Sequence, residues 1–187
     1  MQKWVWLLLV GLLAVVGLIF WWTRQALAPS PAAYRANVLQ VLKGQGGLDP
    51  GLAFMLRGLQ VDLDCRDEKL CTGGENFSYV YEMAEQYEFL MGDYQGRICT
   101  MKPSAANRTD HERLCHLLQG LLKEVGGVKM NASLALNFLS RSNPEDVQTL
   151  LRNFLNRILE HRERVLAITE ELQTITWLEP VLPAVKP

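Results

Sequence analysis

PEDVQTLLRNFLNRILEHRERVLAITEELQTITWL, residues 144–178, holds no glycine and, after its first residue, no proline. Val147, Leu151, Phe154, Ile158, His161, Val165, Ile168, Leu172 and Ile175 alternate by four and three, the spacing of a heptad seam. Leu150, Leu155, Leu159 and Leu166 widen that seam into a stripe. Asn143-Pro144-Glu145-Asp146 supplies a cap, a proline suited to the first helical position and two acids that complement the positive end of a helix dipole. The stretch therefore reads as one helix of about 35 residues, roughly 50 Å long, the longest element outside the N-terminal region.

A stripe this wide has two uses. Near Leu150–Leu159 it is broad enough to pack inside the chain, because a strict two-position seam is the narrower signature of a coiled coil. Beyond His161 it narrows to Val165, Ile168, Leu172 and Ile175, which are the residues expected to meet a partner or a second copy. His161, within the seam, reads as a hydrogen-bonded interior histidine rather than a pH switch.

Working back toward the N-terminus, every segment with a clear period is helical. Ser30-Pro31 opens a helix carrying Tyr34, Val38, Val41 and Leu42 and closed by Gly44, Gly46 and Gly47. Asp49-Pro50 repeats the start signal before the stripe Leu52, Met55, Leu56 and Leu59. Val61–Gly74 is polar and loop-like, and its acids lack the order of a calcium-binding loop. Asn76–Met91 is helical again, with Gly92 as its expected stop. Its aromatics read as core, with a recognition surface as the alternative. Asp93–Arg108 is expected to be irregular. Thr109 and Glu112 have the spacing of a capping box for a helix through Leu114, Leu118, Leu121, Leu122 and Val125, ending at Gly126-Gly127, with a short helix Asn131–Ser140 to follow. The tail, residues 180–187, has too many prolines for a regular helix and is expected to be extended.

The four cysteines are Cys65, Cys71, Cys99 and Cys115. An even number confined to the body of the chain suits an oxidising compartment, and the preferred pairing is Cys65 with Cys71 and Cys99 with Cys115. His111 and Cys115, four residues apart, have the spacing of two metal ligands, but no C-x-x-C pair accompanies them. No metal site, cofactor or catalytic residue is assigned. The histidines stand in no nucleophile motif, and Gly44-Gln45-Gly46-Gly47 lacks the lysine and hydroxyl of a phosphate loop. Net charge is -1 without a basic stripe, which speaks against nucleic acid as a partner.

The remaining segment is Trp4–Trp22, an unbroken apolar run without charge. As a helix its length would be about 28 Å, close to the hydrocarbon thickness of a bilayer. Trp4 and Trp6 stand at one end and Trp21 and Trp22 at the other, where indole rings favour the headgroup level. A cleaved signal peptide is the competing reading, given Ala26-Leu27-Ala28. The run is longer than a signal core, and Pro29 would follow the cut, so an uncleaved anchor is preferred. Flanking cations nearly balance, so the cysteines decide the topology and put the body outside the cytoplasm.

The sequence is thus expected to be all-α: a transmembrane signal-anchor over 1–28, an extracytoplasmic, disulfide-bearing helical domain over 29–179 and a Pro-rich tail. Its expected setting is the bacterial inner membrane with the body in the periplasm. Asn76, Asn107 and Asn131 each open a glycosylation acceptor, which keeps a eukaryotic lumenal setting as the alternative. Its expected role is structural or in assembly of an envelope complex, touching the bilayer and another envelope protein or a second copy. A tethered inhibitor or immunity-type binder is the first alternative and an envelope enzyme the second.

Overall fold

The computed structural model describes residues 11–20, 29–44, 51–63, 74–141 and 148–183. They form helices α1 (Pro31–Leu42), α2 (Leu52–Asp62), α3 (Gly74–Cys99), α4 (Arg108–Arg141) and α5 (Gln148–Gln173), with short 3-10 helices at Ala105–Asn107 and Thr176–Val181. No strand occurs among them. Helix α4 is the middle of a row, with α3 on one side and α5 on the other, while α1 and α2 lie across one face of that row. The core fills the space between the two layers.

Local chemistry accounts for α1. The Ser30 hydroxyl accepts from the Ala33 amide at 3.2 Å, and Pro31 occupies the first turn. Tyr34, Val38, Val41 and Leu42 are buried, as their spacing predicts. In α2 the same holds for Leu52, Met55, Leu56 and Leu59. Its cap, however, is Gly51, which makes no side-chain cap, and the helix continues past Val61 to Asp62. Asp49 and Pro50 lie outside the described residues.

The glycines are where expectation and structure part. Helix α3 does not stop at Gly92 but runs to Cys99, because Tyr94 and Ile98 carry its buried stripe onward. Each interior glycine costs a helix about 1 kcal/mol relative to alanine, and burying two large side chains returns more than that. Helix α4 likewise passes through Gly126-Gly127 and absorbs the short helix expected at Asn131–Ser140, giving 34 residues and the longest element. Thr109 sits inside its first turn rather than at a cap, since the chain enters through the 3-10 turn Ala105–Asn107.

These α4 glycines are contact points. A β-carbon on Gly120 would meet Ile168 Cδ1 of α5 at 3.1 Å, and one on Gly126 would meet Glu88 Oε1 of α3 at 3.1 Å. A methyl on Gly127 would overlap the His161 ring of α5. Gly127 is therefore what lets α5 close on the middle helix, while Gly120 and Gly126 give room to the ends of the Ile168 and Glu88 side chains.

The described part of α5 begins at Gln148, and the helix ends at Gln173, earlier than expected. The chain then turns into Thr176–Val181, with Pro180 inside it. That turn tolerates the proline because its bonds run from the Leu178 amide to Ile175 and from the Leu182 amide to Glu179, so the missing Pro180 N–H is not required. Leu178, Val181 and Leu182 are buried, so the start of the expected tail belongs to the body. Asn143–Asp146, the expected cap of α5, lies outside the described residues.

Cys99 and Cys115 are joined, Cα to Cα 5.6 Å, clamping the end of α3 to the first turns of α4. Cys65 and Cys71 lie outside the described residues, as do Trp4, Trp6, Trp21 and Trp22. Residues 11–20 of the apolar run are helical, with Leu12, Leu13 and Leu18 exposed. Among the described residues no helix is long and apolar enough to cross a membrane.

Two substitutions separate the kinds of glycine. Gly92→Ala, with open space around the new methyl, should stabilise the chain by about 0.5–1 kcal/mol. Gly127→Ala should destabilise it by about 1–3 kcal/mol despite the same gain in helix propensity, because the His161 ring must move. Urea denaturation of both variants checks the opposite signs. Separately, Cys99→Ser with Cys115→Ser should cost about 3 kcal/mol, the value for a closed loop of this length, in the same assay.

Candidate functional site

Three polar clusters and one uncovered helix face are the places where chemistry or contact is concentrated. The first cluster ties the start of α1 to the start of α4 and the end of the chain. The Tyr34 hydroxyl donates to His111 Nδ1 at 2.7 Å, and the two rings meet edge to face. Trp177 packs edge-on against Tyr34, and its Nε1–H donates to Asp110 at 2.8 Å. Arg35 lies over the Trp177 ring and donates through Nε to the Asn107 side chain at 3.0 Å. Asn107 in turn donates to the Pro31 carbonyl and to the Ser104 hydroxyl. Burial, with the Asp110 charge nearby, pushes the Tyr34 phenol up to about 12. Burial lowers His111, against a weaker opposing pull from Glu112. A protonated phenol donating to a neutral imidazole is consistent with both directions.

The second cluster crosses from α4 to α5. Glu124 Oε2 accepts from Arg164 Nε at 2.6 Å and from His161 Nδ1–H at 2.7 Å. Burial raises this carboxyl, but the bonds from Arg164 and His161 outweigh it and leave it below the usual carboxylate range. His161 Nε2 faces the Asn131 amide nitrogen at 3.4 Å, and that nitrogen also donates to the Gly127 carbonyl at 2.8 Å. An imidazole oriented by a carboxylate is a familiar general-base arrangement. Here, among the described residues, its polar neighbours are Glu124, Asn131 and Arg164, none of them a nucleophile. The cluster reads as a clasp that sets the register of α4 against α5.

In the third cluster Asp62 at the end of α2 accepts from Tyr79 at 2.8 Å and from Tyr87 at 3.0 Å, both on α3. Burial, then the hydrogen bond to Asp62, raises the Tyr87 phenol. Gly58 lies directly beneath the Tyr87 hydroxyl, the second place where glycine permits a close approach.

Among the described residues no helix covers the outer face of α4. At its N-terminal half an open groove of ≈ 710 Å³ is lined by His116, Gly120, Lys123, Glu124, Gly126 and Glu88 of α3. Toward its C-terminus Met130, Leu134 and Phe138 follow at intervals of four and are 56%, 37% and 40% exposed. Phe138 also stacks at 5.7 Å on Phe154 of α5. The periodicity of α4 did not reveal this face, because the expected break at Gly126-Gly127 split it between two short helices. Spacing of Met130, Leu134 and Phe138 by four was the signal available.

The residues expected to meet a partner are placed differently. Val165, Leu172 and Ile175 are buried in the chain's own core, and Ile168 packs against Gly120. The narrow half of the stripe faces α4 instead of protruding, because α5 ends early and the chain folds back over it. The aromatics of α3, expected as core, divide: Tyr87 and Tyr94 are buried, whereas Tyr79 and Phe89 are exposed. Asn107 and Asn131 are buried and hydrogen-bonded, which removes two of the three glycan acceptors. Cys115 is committed to its disulfide, and among the described residues no group of three His, Cys, Asp or Glu side chains converges as a metal site would.

No family matches the chain, and neither a curated protein nor a solved structure is significantly similar to it.

The first cluster makes a pH prediction. His111 is held below its ordinary value in the folded chain, so the folded state binds fewer protons than the unfolded one. Its contribution is complete above about pH 6.5, the unfolded value, and is lost as pH falls from there through the folded pKa. Thermal unfolding should show a drop in Tm between about pH 7 and pH 5, and His111→Gln should flatten that part of the profile.

Proposed function

We propose that the chain is a membrane-anchored structural or assembly component of a bacterial envelope complex, with its helical body in the periplasm and its work done by protein contact. The observation that carries this reading is the uncharged run Trp4–Trp22 beside a helical body with an uncovered apolar strip on its middle helix. The Cys99–Cys115 disulfide supports the oxidising side of the membrane. Burial of Asn107 and Asn131 weakens the glycoprotein alternative. The partner surface moves from the C-terminal half of α5 to Met130, Leu134 and Phe138, which are exposed where Val165, Leu172 and Ile175 are not. No observation favours an inhibitor over an assembly component.

Two measurements test this. After an alkaline carbonate wash the full chain should stay with the membrane, whereas Leu13→Arg with Val16→Arg should release it, since each arginine at mid-bilayer depth costs about 2.5–3.5 kcal/mol. Solubilised gently from its native membrane, the chain should migrate in an assembly larger than itself, and Leu134→Glu should dissolve that assembly while leaving the helical circular dichroism intact. Wild-type chain that washes off, or that migrates as a monomer, contradicts the reading.

A further inference from the structure

The N-terminus of α1 is held at one end of the helix row. Asn107, in the 3-10 turn that leads into α4, donates to the Pro31 carbonyl at 3.0 Å, so the chain enters the body beside residues 104–108. This is also the end where α3 finishes at Cys99, α4 begins at Arg108 and α5 finishes at Gln173. Eight residues, Thr23–Ser30, separate the apolar run from α1. Fully extended they reach roughly 30 Å, whereas α4 alone is about 50 Å long. The tethered end is thus confined near the headgroups while the other end can stand clear of them.

At the tip of this end the connection between α3 and α4 is locally basic. From Tyr94 to Thr109 the chain carries Arg97, Lys102 and Arg108 and no carboxylate. Arg97 is paired with Asp93, but Lys102 and Arg108 are exposed, with the small exposed residues Ala105 and Ala106 between them. Asp110, the next acid, accepts from Trp177, and Glu171 pairs with Arg113, while Glu112, Glu170 and Glu179 are exposed on α4, α5 and the C-terminal turn rather than in the Lys102–Arg108 connection. The outer side of α3 is the opposite in sign, exposing Glu75, Glu82 and Glu85, so lying down on that side would bring carboxylates against anionic headgroups.

We propose that the body stands on the bilayer through Lys102–Arg108, with Lys102 and Arg108 against anionic lipid phosphates and the C-terminal half of α4 held away from the membrane. This rests on the anchor reading. It adds an orientation: Met130, Leu134 and Phe138 are presented at a fixed height above the lipid rather than in contact with it.

Photocrosslinking tests it, using the full chain in nanodiscs of phosphatidylcholine with phosphatidylglycerol. A benzophenone amino acid is placed at Ala106 or at Asn137, both exposed and near opposite ends of α4. Lipid adducts are expected at Ala106 and not at Asn137. Because a cation near an anionic surface improves association about fivefold, Lys102→Glu with Arg108→Glu should cut the Ala106 adducts at least that much, as should discs of phosphatidylcholine alone. Equal adducts at Ala106 and Asn137 would mean that the body lies on the outer face of α4, and adducts indifferent to the charge changes would remove the headgroup contact; either result overturns the orientation with the anchor intact. A chain that does not enter the discs overturns the anchor reading and the orientation with it.

Discussion

Close approach of three helices at α4 is the constraint on which the rest of the fold depends. Gly120 and Gly127 admit Ile168 and His161 from one side, and Gly126 admits Glu88 from the other. Helices separated by side chains on both surfaces would stand further apart, and the contacts that span the gap would not reach. With the gap closed, Glu124 can receive both His161 and Arg164 from α5, and Lys129 can pair with Glu88 of α3. The polar clasp is a consequence of the packing as much as a contributor to it. Arg164, Lys129 and Glu88 keep part of their surface in water, so these pairs return little net stability; Glu124, the one largely buried charge among them, is the group that a shifted register would leave without partners.

The two ends of the row are secured by different chemistry. At the end where the chain enters, the disulfide, the Tyr34–His111 bond and the Trp177–Asp110 bond join segments far apart in sequence. The start of α1 and the Thr176–Val181 turn are both held there. Nearer the other end of the row, ordering comes from apolar packing, as between Phe138 and Phe154. An end held by covalent and buried polar links is suited to carry a tether, and a face with exposed apolar side chains is suited to meet a neighbour.

That division gives the proposed function its physical form. In the proposed function a tether would raise the local concentration of the body at the membrane, so that a modest apolar strip would suffice for contact with a neighbour in the same plane. The groove over Gly120 and Gly126 and the strip Met130–Phe138 lie on one helix and face the same way, which gives a partner one continuous rigid surface rather than several loops.

Much of this was legible in the residues alone. The all-helical class followed from apolar periodicity and the burial of Tyr34, Val38, Leu52 and Met55 from their spacing, because these depend on neighbours a few residues away. Cys99 with Cys115 was a preference among three connectivities, which the fold decides by bringing the two together. What the tertiary structure alone decided was the meaning of the glycines and the direction of the α5 stripe. Gly92, Gly126 and Gly127 look identical to a helix stop until a second helix lies against them. Val165 and Leu172 look identical to an interface until the chain has returned to cover them. Both depend on how closely another segment, distant in sequence, approaches, and no local pattern carries that distance.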